Sequence, residues 1–116
     1  MSLPPELSEA DRARAGAAGV AARQARARIR SGLADGSLGL GEVLAMSDGT
    51  DAQARAVARM KVVELLSGLR GIGQVRAAEA MVDLGIAANR RVGGLGVHQR
   101  AALDDWVAAR RERLGG

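Results

Sequence analysis

Alanine, more than any other residue, limits what this chain can fold into. Of its 55 apolar residues 24 are Ala, which leaves 13 Leu, ten Val, three Ile, four Met and one Trp. Alanine is the strongest helix former and adds almost nothing to a core. The 31 larger apolar side chains in 116 residues can build one small, thin domain. They recur at spacings of three and four, and no stretch alternates with period two, so the chain reads as all-α.

Ser8 with Asp11 has the pattern of a capping box and predicts a helix over about 9–34. Its interior is nearly all Ala and Arg, with only Val20, Ile29 and Leu33 larger and apolar. Such a helix gains little from tertiary packing. Gly16 and Gly19 each cost it roughly 1 kcal/mol against Ala. Residues 1–34 are therefore expected to form a basic, partly flexible N-terminal helix whose first half frays in the free protein. Arg23, Arg26 and Arg30 share one face of it.

Residues 35–116 are expected to form the helical binding core, with the apolar core spanning roughly 35–113. Asp35-Gly36-Ser37 is a break, and a short helix runs from Leu40 to Ala45. After the turn Ser47-Asp48-Gly49, Thr50 or Asp51 caps a helix to about Arg59. Lys61 to Leu66 reads as a helix whose buried stripe is Val62, Leu65, Leu66 and Leu69. Gln74 to Leu84 is helical, and Gly85 followed by Ile86 fits a helix stop. A Gly-rich loop over 87–96 precedes a last helix from Val97 to Arg113, with Leu103, Trp106 and Val107 inward. Met46, Met60 and Met81 are expected to fill core gaps.

Charge is divided unevenly along the chain. Residues 10–34 carry six Arg against one Asp, and residues 59–100 carry seven basic against three acidic residues. Between them, residues 35–58 hold four acids and one Arg, an acidic spacer. Two basic blocks in a chain of net charge +4 make a field that attracts polyanions, with ordinary solvated faces as the alternative from charge alone.

Several function classes are excluded or disfavoured. Without Cys there are no disulfides, zinc–thiolate sites or thiol catalysis. Without Phe or Tyr there is no aromatic platform for stacking bases. No apolar run approaches the roughly 18 residues of a membrane helix, and the N-terminus lacks a signal-peptide layout, so a cytoplasmic protein is expected. His98 is the only His, and the adjacent Asp104 and Asp105 cannot converge on one point of a helix. No nucleophile stands with a base, nothing places Lys61 in a pocket, and no enzyme, cofactor or metal is expected.

The segment from Leu65 to Ala77 points to a function. Gly71-Ile72-Gly73 stands between two amphipathic helices, with Ala77 four residues after the second glycine. This is the pattern of a helix–hairpin–helix over about 61–84. Two glycines permit backbone conformations barred to other residues and strip side chains from the turn. Backbone N–H groups then face outward where the helix macrodipole adds partial positive charge, so a phosphate can sit there with no base being read. Ile72 braces the turn from inside, Gln74 and Val75 continue it, and Arg70 and Arg76 flank it with charge-assisted donors. An ordinary Gly-rich helix connection is the bland alternative. A dinucleotide fingerprint would need a preceding strand and a third Gly, and a P-loop would need Gly-Lys-Ser/Thr.

The second constellation is Asn89-Arg90-Arg91-Val92-Gly93-Gly94-Leu95-Gly96. Two adjacent Arg on a short loop can grip consecutive phosphates; a surface loop with incidental charge is the alternative. Arg110, Arg111 and Arg113 are balanced by Asp104, Asp105 and Glu112 and stand outside the expected site.

Taken together, Met60-Lys61-Val62 through Leu66, Gly71-Ile72-Gly73, Arg90-Arg91 and Gly94-Leu95-Gly96 resemble the actinobacterial, mycobacterial-type integration host factors. Leu3-Pro4-Pro5, Leu7 and the Ala/Arg-rich helix match as well, so the resemblance covers nearly the whole chain. It implies a small monomeric helical protein with a helix–two-turns–helix, S13-like core and a long N-terminal helix that also touches DNA. It implies a nucleoid-associated protein that binds duplex DNA with little sequence preference, bends or bridges it, and assists a phage or chromosomal integrase. Where the family usually has basic residues, this chain has Gln74 and Gly93, and Arg70 stands where Pro is common, which marks a divergent paralogue. The same core resembles part of a ribosomal protein, so an RNA- or ribosome-associated role is the alternative. The neutral segment 101–116 argues against it.

Overall fold

The computed structural model describes residues 8–113, with side chains to Arg110. The elements run α1 (Glu9–Asp35), α2 (Leu40–Met46), α3 (Ala52–Arg59), α4 (Val62–Gly68), α5 (Gln74–Asp83), a 3₁₀ turn at Val92–Gly94, and α6 (Val97–Arg113). Leu3, Pro4, Pro5 and Leu7 of the family resemblance lie outside the described residues. No described helix is long and apolar enough to cross a membrane.

Local chemistry sets the helix ends. Ser8 Oγ accepts from the Asp11 N–H at 3.1 Å while the Asp11 carboxylate accepts from the Ser8 N–H at 3.4 Å, closing the capping box. The Ser8 contacts and the Arg14 guanidinium hold the Asp11 carboxyl below the usual carboxylate range. Of the two candidate caps for α3, Asp51 serves: its carboxylate accepts from the Ala54 N–H at 2.7 Å. After α5 the Ile86 N–H reaches the Met81 carbonyl at 2.9 Å and Gly85 reaches Val82 at 3.1 Å, the paired bonds of a Schellman stop.

The core begins earlier than the expected 35–113. Ala25, Ile29, Gly32 and Leu33 of α1 are buried, and Ile29 and Leu33 join Leu44, Val57, Met60, Leu65, Leu66, Met81 and Leu103 in one cluster. Positions 25, 29 and 33 repeat every four residues and so form a single stripe. Gly32 is required by a close approach. A Cβ there would lie 2.5 Å from Leu38 Cδ1, and the Leu38 N–H donates to the Gly32 carbonyl at 3.0 Å.

From Glu9 to Gln24 no residue of α1 is buried. The radius of gyration is 16.9 Å. A compact chain of this size would have about 13 Å. The excess reflects a long helix anchored at its C-terminal half.

One feature has no signal in the periodicity. Lys61 and Arg91 form an isolated antiparallel bridge, in which the Val62 N–H donates to the Arg90 carbonyl and the Val92 N–H to the Met60 carbonyl, both at 2.9 Å. It ties the start of α4 to the Arg90-Arg91 loop.

Candidate nucleic-acid interface

The hairpin begins as α4 ends. The Ile72 N–H donates to the Leu69 carbonyl at 3.0 Å, and the Ile72 side chain is only 5% exposed, so the turn is braced from within. Gly71 has φ +82°, a left-handed conformation that glycine adopts without steric cost. Gly73 differs from the expectation that both glycines supply unusual backbone. It sits at φ −88°, ψ 179°, ordinary extended backbone. A Cβ at Gly73 would meet nothing within 4 Å, so no neighbour inside the chain needs a glycine there. Its effect is to leave the start of α5 bare to an outside partner.

As N-cap of α5, Gly73 offers no side-chain acceptor. The Ala77 N–H closes the first helical bond onto the Gly73 carbonyl at 3.0 Å. The N–H groups of Gln74, Val75 and Arg76 thus precede the helical ladder and have no intrahelical acceptor. All three residues are exposed, Val75 to 72%. Arg70 is also exposed beside the turn. The first turn of α5 is therefore an exposed stretch whose backbone donors lack helical acceptors, at the positive end of a helix.

The second loop offers guanidinium groups instead. Arg90 Nη1 donates to the Gly94 carbonyl at 3.1 Å, and Arg91 Nη1 donates to the Arg59 carbonyl. Each Arg spends one donor bracing the loop, and a guanidinium has five. Asn89, Arg90, Arg91, Gly93 and Gly94 line an open groove together with Arg55 and Arg59 of α3. Arg55 and Arg59 also line an adjoining groove between α1 and α3, where Arg23 and Arg26 stand. Six Arg from three parts of the chain thus border two grooves that share Arg55 and Arg59. Arg55 was hidden in the sequence by the acidic spacer around it, and Arg59 by its place at a helix end.

Gly93 allows this gathering. A Cβ there would lie 3.2 Å from both the Cβ and the carbonyl oxygen of Ala58, so a larger residue would push α3 away from the loop. The missing basic side chain at 93 accompanies a close approach that brings Arg55 and Arg59 alongside Arg90 and Arg91.

Of the expected face of Arg23, Arg26 and Arg30, Arg23 and Arg26 border the groove between α1 and α3. Arg30 forms an ion pair with Glu64 of α4, about one turn beyond the groove. The acidic spacer also dissolves on folding. The Asp35 carboxylate accepts from the Ser37 N–H at 2.8 Å, and the Ser37 side chain and N–H together hold its carboxyl below the usual range. Glu42 accepts from the Gly39 N–H at 3.3 Å and Asp51 caps α3. Asp48 takes a two-point contact from Arg100 at 2.7 and 3.1 Å; these bonds lower the Asp48 carboxyl and raise the Arg100 guanidinium. Each acid of the segment holds a local turn or one ion pair.

One residue near the hairpin escaped the sequence reading. Arg110 of α6 donates from Nη2 to the Gly71 carbonyl, 39 residues away, with its guanidinium 6.0 Å from the centroid of the Trp106 ring. Its apparent balance by Asp104 and Asp105 hid it; the i,i+4 spacing from Trp106 was the available signal. The side chains of Arg111 and Arg113 lie outside the described residues. Among the described residues no group of three or more His, Asp or Glu could hold a metal ion.

The family model of the S13-like H2TH domain matches residues 33–106. The integration host factor of Streptomyces coelicolor is 40% identical over 104 residues, covering 90% of this chain and 92% of that protein. The integration host factor of Mycolicibacterium smegmatis is 43% identical over 100 residues, covering 85% and 90%. A solved structure of sIHF bound to an 8bp palindromic DNA superposes with a TM-score of 0.69 at 38% identity, covering 75% of this chain and 93% of that one.

Proposed function

We propose that this chain, which belongs to the integration host factor family and carries its S13-like H2TH domain over residues 33–106, is a nucleoid-associated architectural protein that holds duplex DNA by its phosphates. The observation that carries the reading is the uncapped first turn of α5. The N–H groups of Gln74, Val75 and Arg76 precede the first helical bond, in exposed residues behind a turn stripped of side chains at Gly71 and Gly73. The solved DNA complex of the relative sIHF supports duplex DNA as the ligand.

On this reading Arg70, Gly71, Ile72, Gly73, Gln74, Val75 and Arg76 form one phosphate site. Arg90 and Arg91, with Gly93 and Gly94 shaping the loop, form a second. Arg23 and Arg26 extend the second site through Arg55 and Arg59. Arg30 contributes only if its pair with Glu64 opens. Both sites engage the backbone, which positions the protein without reading sequence. The sole Trp is half-buried under Arg110 and is placed for packing, not for wedging between bases. A monomer carries both sites. A duplex bent across them is the form in which a phage or chromosomal integrase would meet its substrate.

The test is a duplex titration over a salt series, with structured RNA as competitor. Binding should weaken steeply and log-linearly with salt, vary little with sequence, and prefer duplex DNA. A circularisation assay on short fragments reads the bend. Salt-independent binding, or displacement by RNA at equal concentration, would sink the reading.

A further inference from the structure

We infer that Arg110 is a positioning residue for the phosphate-binding hairpin, holding the Gly71 carbonyl so that the start of α5 keeps its outward aim. The inference rests on the DNA-binding reading of the hairpin and adds a residue from a distant helix to it.

The hairpin is a short exposed turn whose shape depends on one left-handed glycine. Glycine populates positive and negative φ about equally, so Gly71 alone does not fix the turn. Within the turn, the Ile72 N–H bond to the Leu69 carbonyl and the buried Ile72 side chain resist rearrangement. Arg110 adds a restraint from outside it. Its Nη2 donates to the Gly71 carbonyl, which orients the peptide joining Gly71 to Ile72.

The donor is itself held in place. One turn earlier in α6, Trp106 supports the guanidinium at 6.0 Å, within the range of a cation–π contact. Arg110 lines a cavity of about 210 Å³ together with Leu33, Leu69, Ile72 and Val107, and Arg70 borders it as well. The arrangement joins α6 to a peptide of the turn that leads into the donors of Gln74, Val75 and Arg76. A guanidinium that bonds a carbonyl inside the protein positions the site; one that left the carbonyl for DNA would be a contact. The two roles differ in salt dependence, because only a phosphate contact changes the number of counterions released.

The experiment uses the full chain with Arg110→Ala and Arg110→Lys. Two quantities are read: amide exchange at Ile72 in the free protein, and duplex affinity across a salt series. For Arg110→Ala we expect faster Ile72 exchange and about tenfold weaker binding, with the salt slope of the parent. Arg110→Lys, which keeps a donor for the carbonyl, should restore Ile72 protection and part of the affinity. A slope lower by about one with Ile72 protection intact would make Arg110 a phosphate contact and overturn the inference. Unchanged affinity would overturn it as well. If the parent chain fails to bind duplex, the DNA-binding reading falls by itself. Ile72 exchange then still reports whether Arg110 holds the hairpin, and unchanged exchange in Arg110→Ala overturns that part too.

Discussion

The hairpin before α5 and the Arg90-Arg91 loop stand at opposite ends of α4, a seven-residue helix that rises roughly 10 Å. They offer an anion two different kinds of donor. The hairpin offers backbone N–H groups with Arg70 and Arg76 at its flanks, and depends first on turn geometry. The loop offers guanidinium groups and depends on charge, and its own backbone is pinned by the Lys61–Arg91 bridge. Phosphate recognition through geometry should respond more to conformational change, and recognition through charge more to salt. The comparison is therefore open to direct attack.

The largest effect should come from the charged side. Replacing Arg90 and Arg91 together by Ala should weaken duplex binding about a hundredfold, since each charge-assisted bond is worth about 1.5–3 kcal/mol. The salt slope should fall by about two. An unchanged slope would place the charged contact elsewhere. Gly71→Ala attacks the geometric side. At φ +82° an alanine is strained, so we expect about 1–2 kcal/mol lower stability in denaturant unfolding. Affinity should fall about tenfold at the parent's slope. Loss of slope in this variant would erase the distinction between the two sites.

A smaller effect sharpens the comparison. Gln74→Arg adds a cation to the geometric site and should raise the slope by about one and the affinity severalfold. The matching change Gly93→Arg should gain less, because its Cβ must push Ala58 aside from 3.2 Å. Equal gains from the two in the same titration would show that the α3 approach at Gly93 has no cost.

The smallest effect concerns an Arg kept away from both sites. Arg100 is committed to Asp48, whose carboxyl it holds below the usual range. A lowered carboxylate stabilises the fold above the ordinary Asp value of about 3.9 and loses that contribution as pH falls through its own lower value. Asp48→Asn should therefore melt slightly below the parent near neutrality and match it in strong acid. Melting curves over an acid series check this, and a gap that persists below both values would rule out the ion pair as its source.

What was legible in the sequence shares one property: the interacting groups lie within a few residues. The capping box at Ser8 and Asp11, the Asp51 cap, the Gly85–Ile86 stop and the helix limits each close bonds over three to five residues. The hairpin was legible because Gly71-Ile72-Gly73 with Ala77 carries its geometry locally, although only Gly71 needs the unusual backbone. The pairing of Arg30 was not legible for the opposite reason. Its spacing from Arg26 puts it on the expected face, but its partner Glu64 lies 34 residues away.

Alanine by itself settled that this chain is helical and thinly cored, because it favours the helix and fills no space. The tertiary structure alone decided how the charges are used. It gathered Arg55 and Arg59 with Arg90 and Arg91, turned the acids of 35–58 into caps, a local turn and one ion pair, and brought Arg110 to Gly71. A guanidinium on a long, flexible stem takes its partner from whatever helix the core packs beside it. That choice is made by the burial of Ile29, Leu33, Leu65 and Leu103, and no local spacing records it.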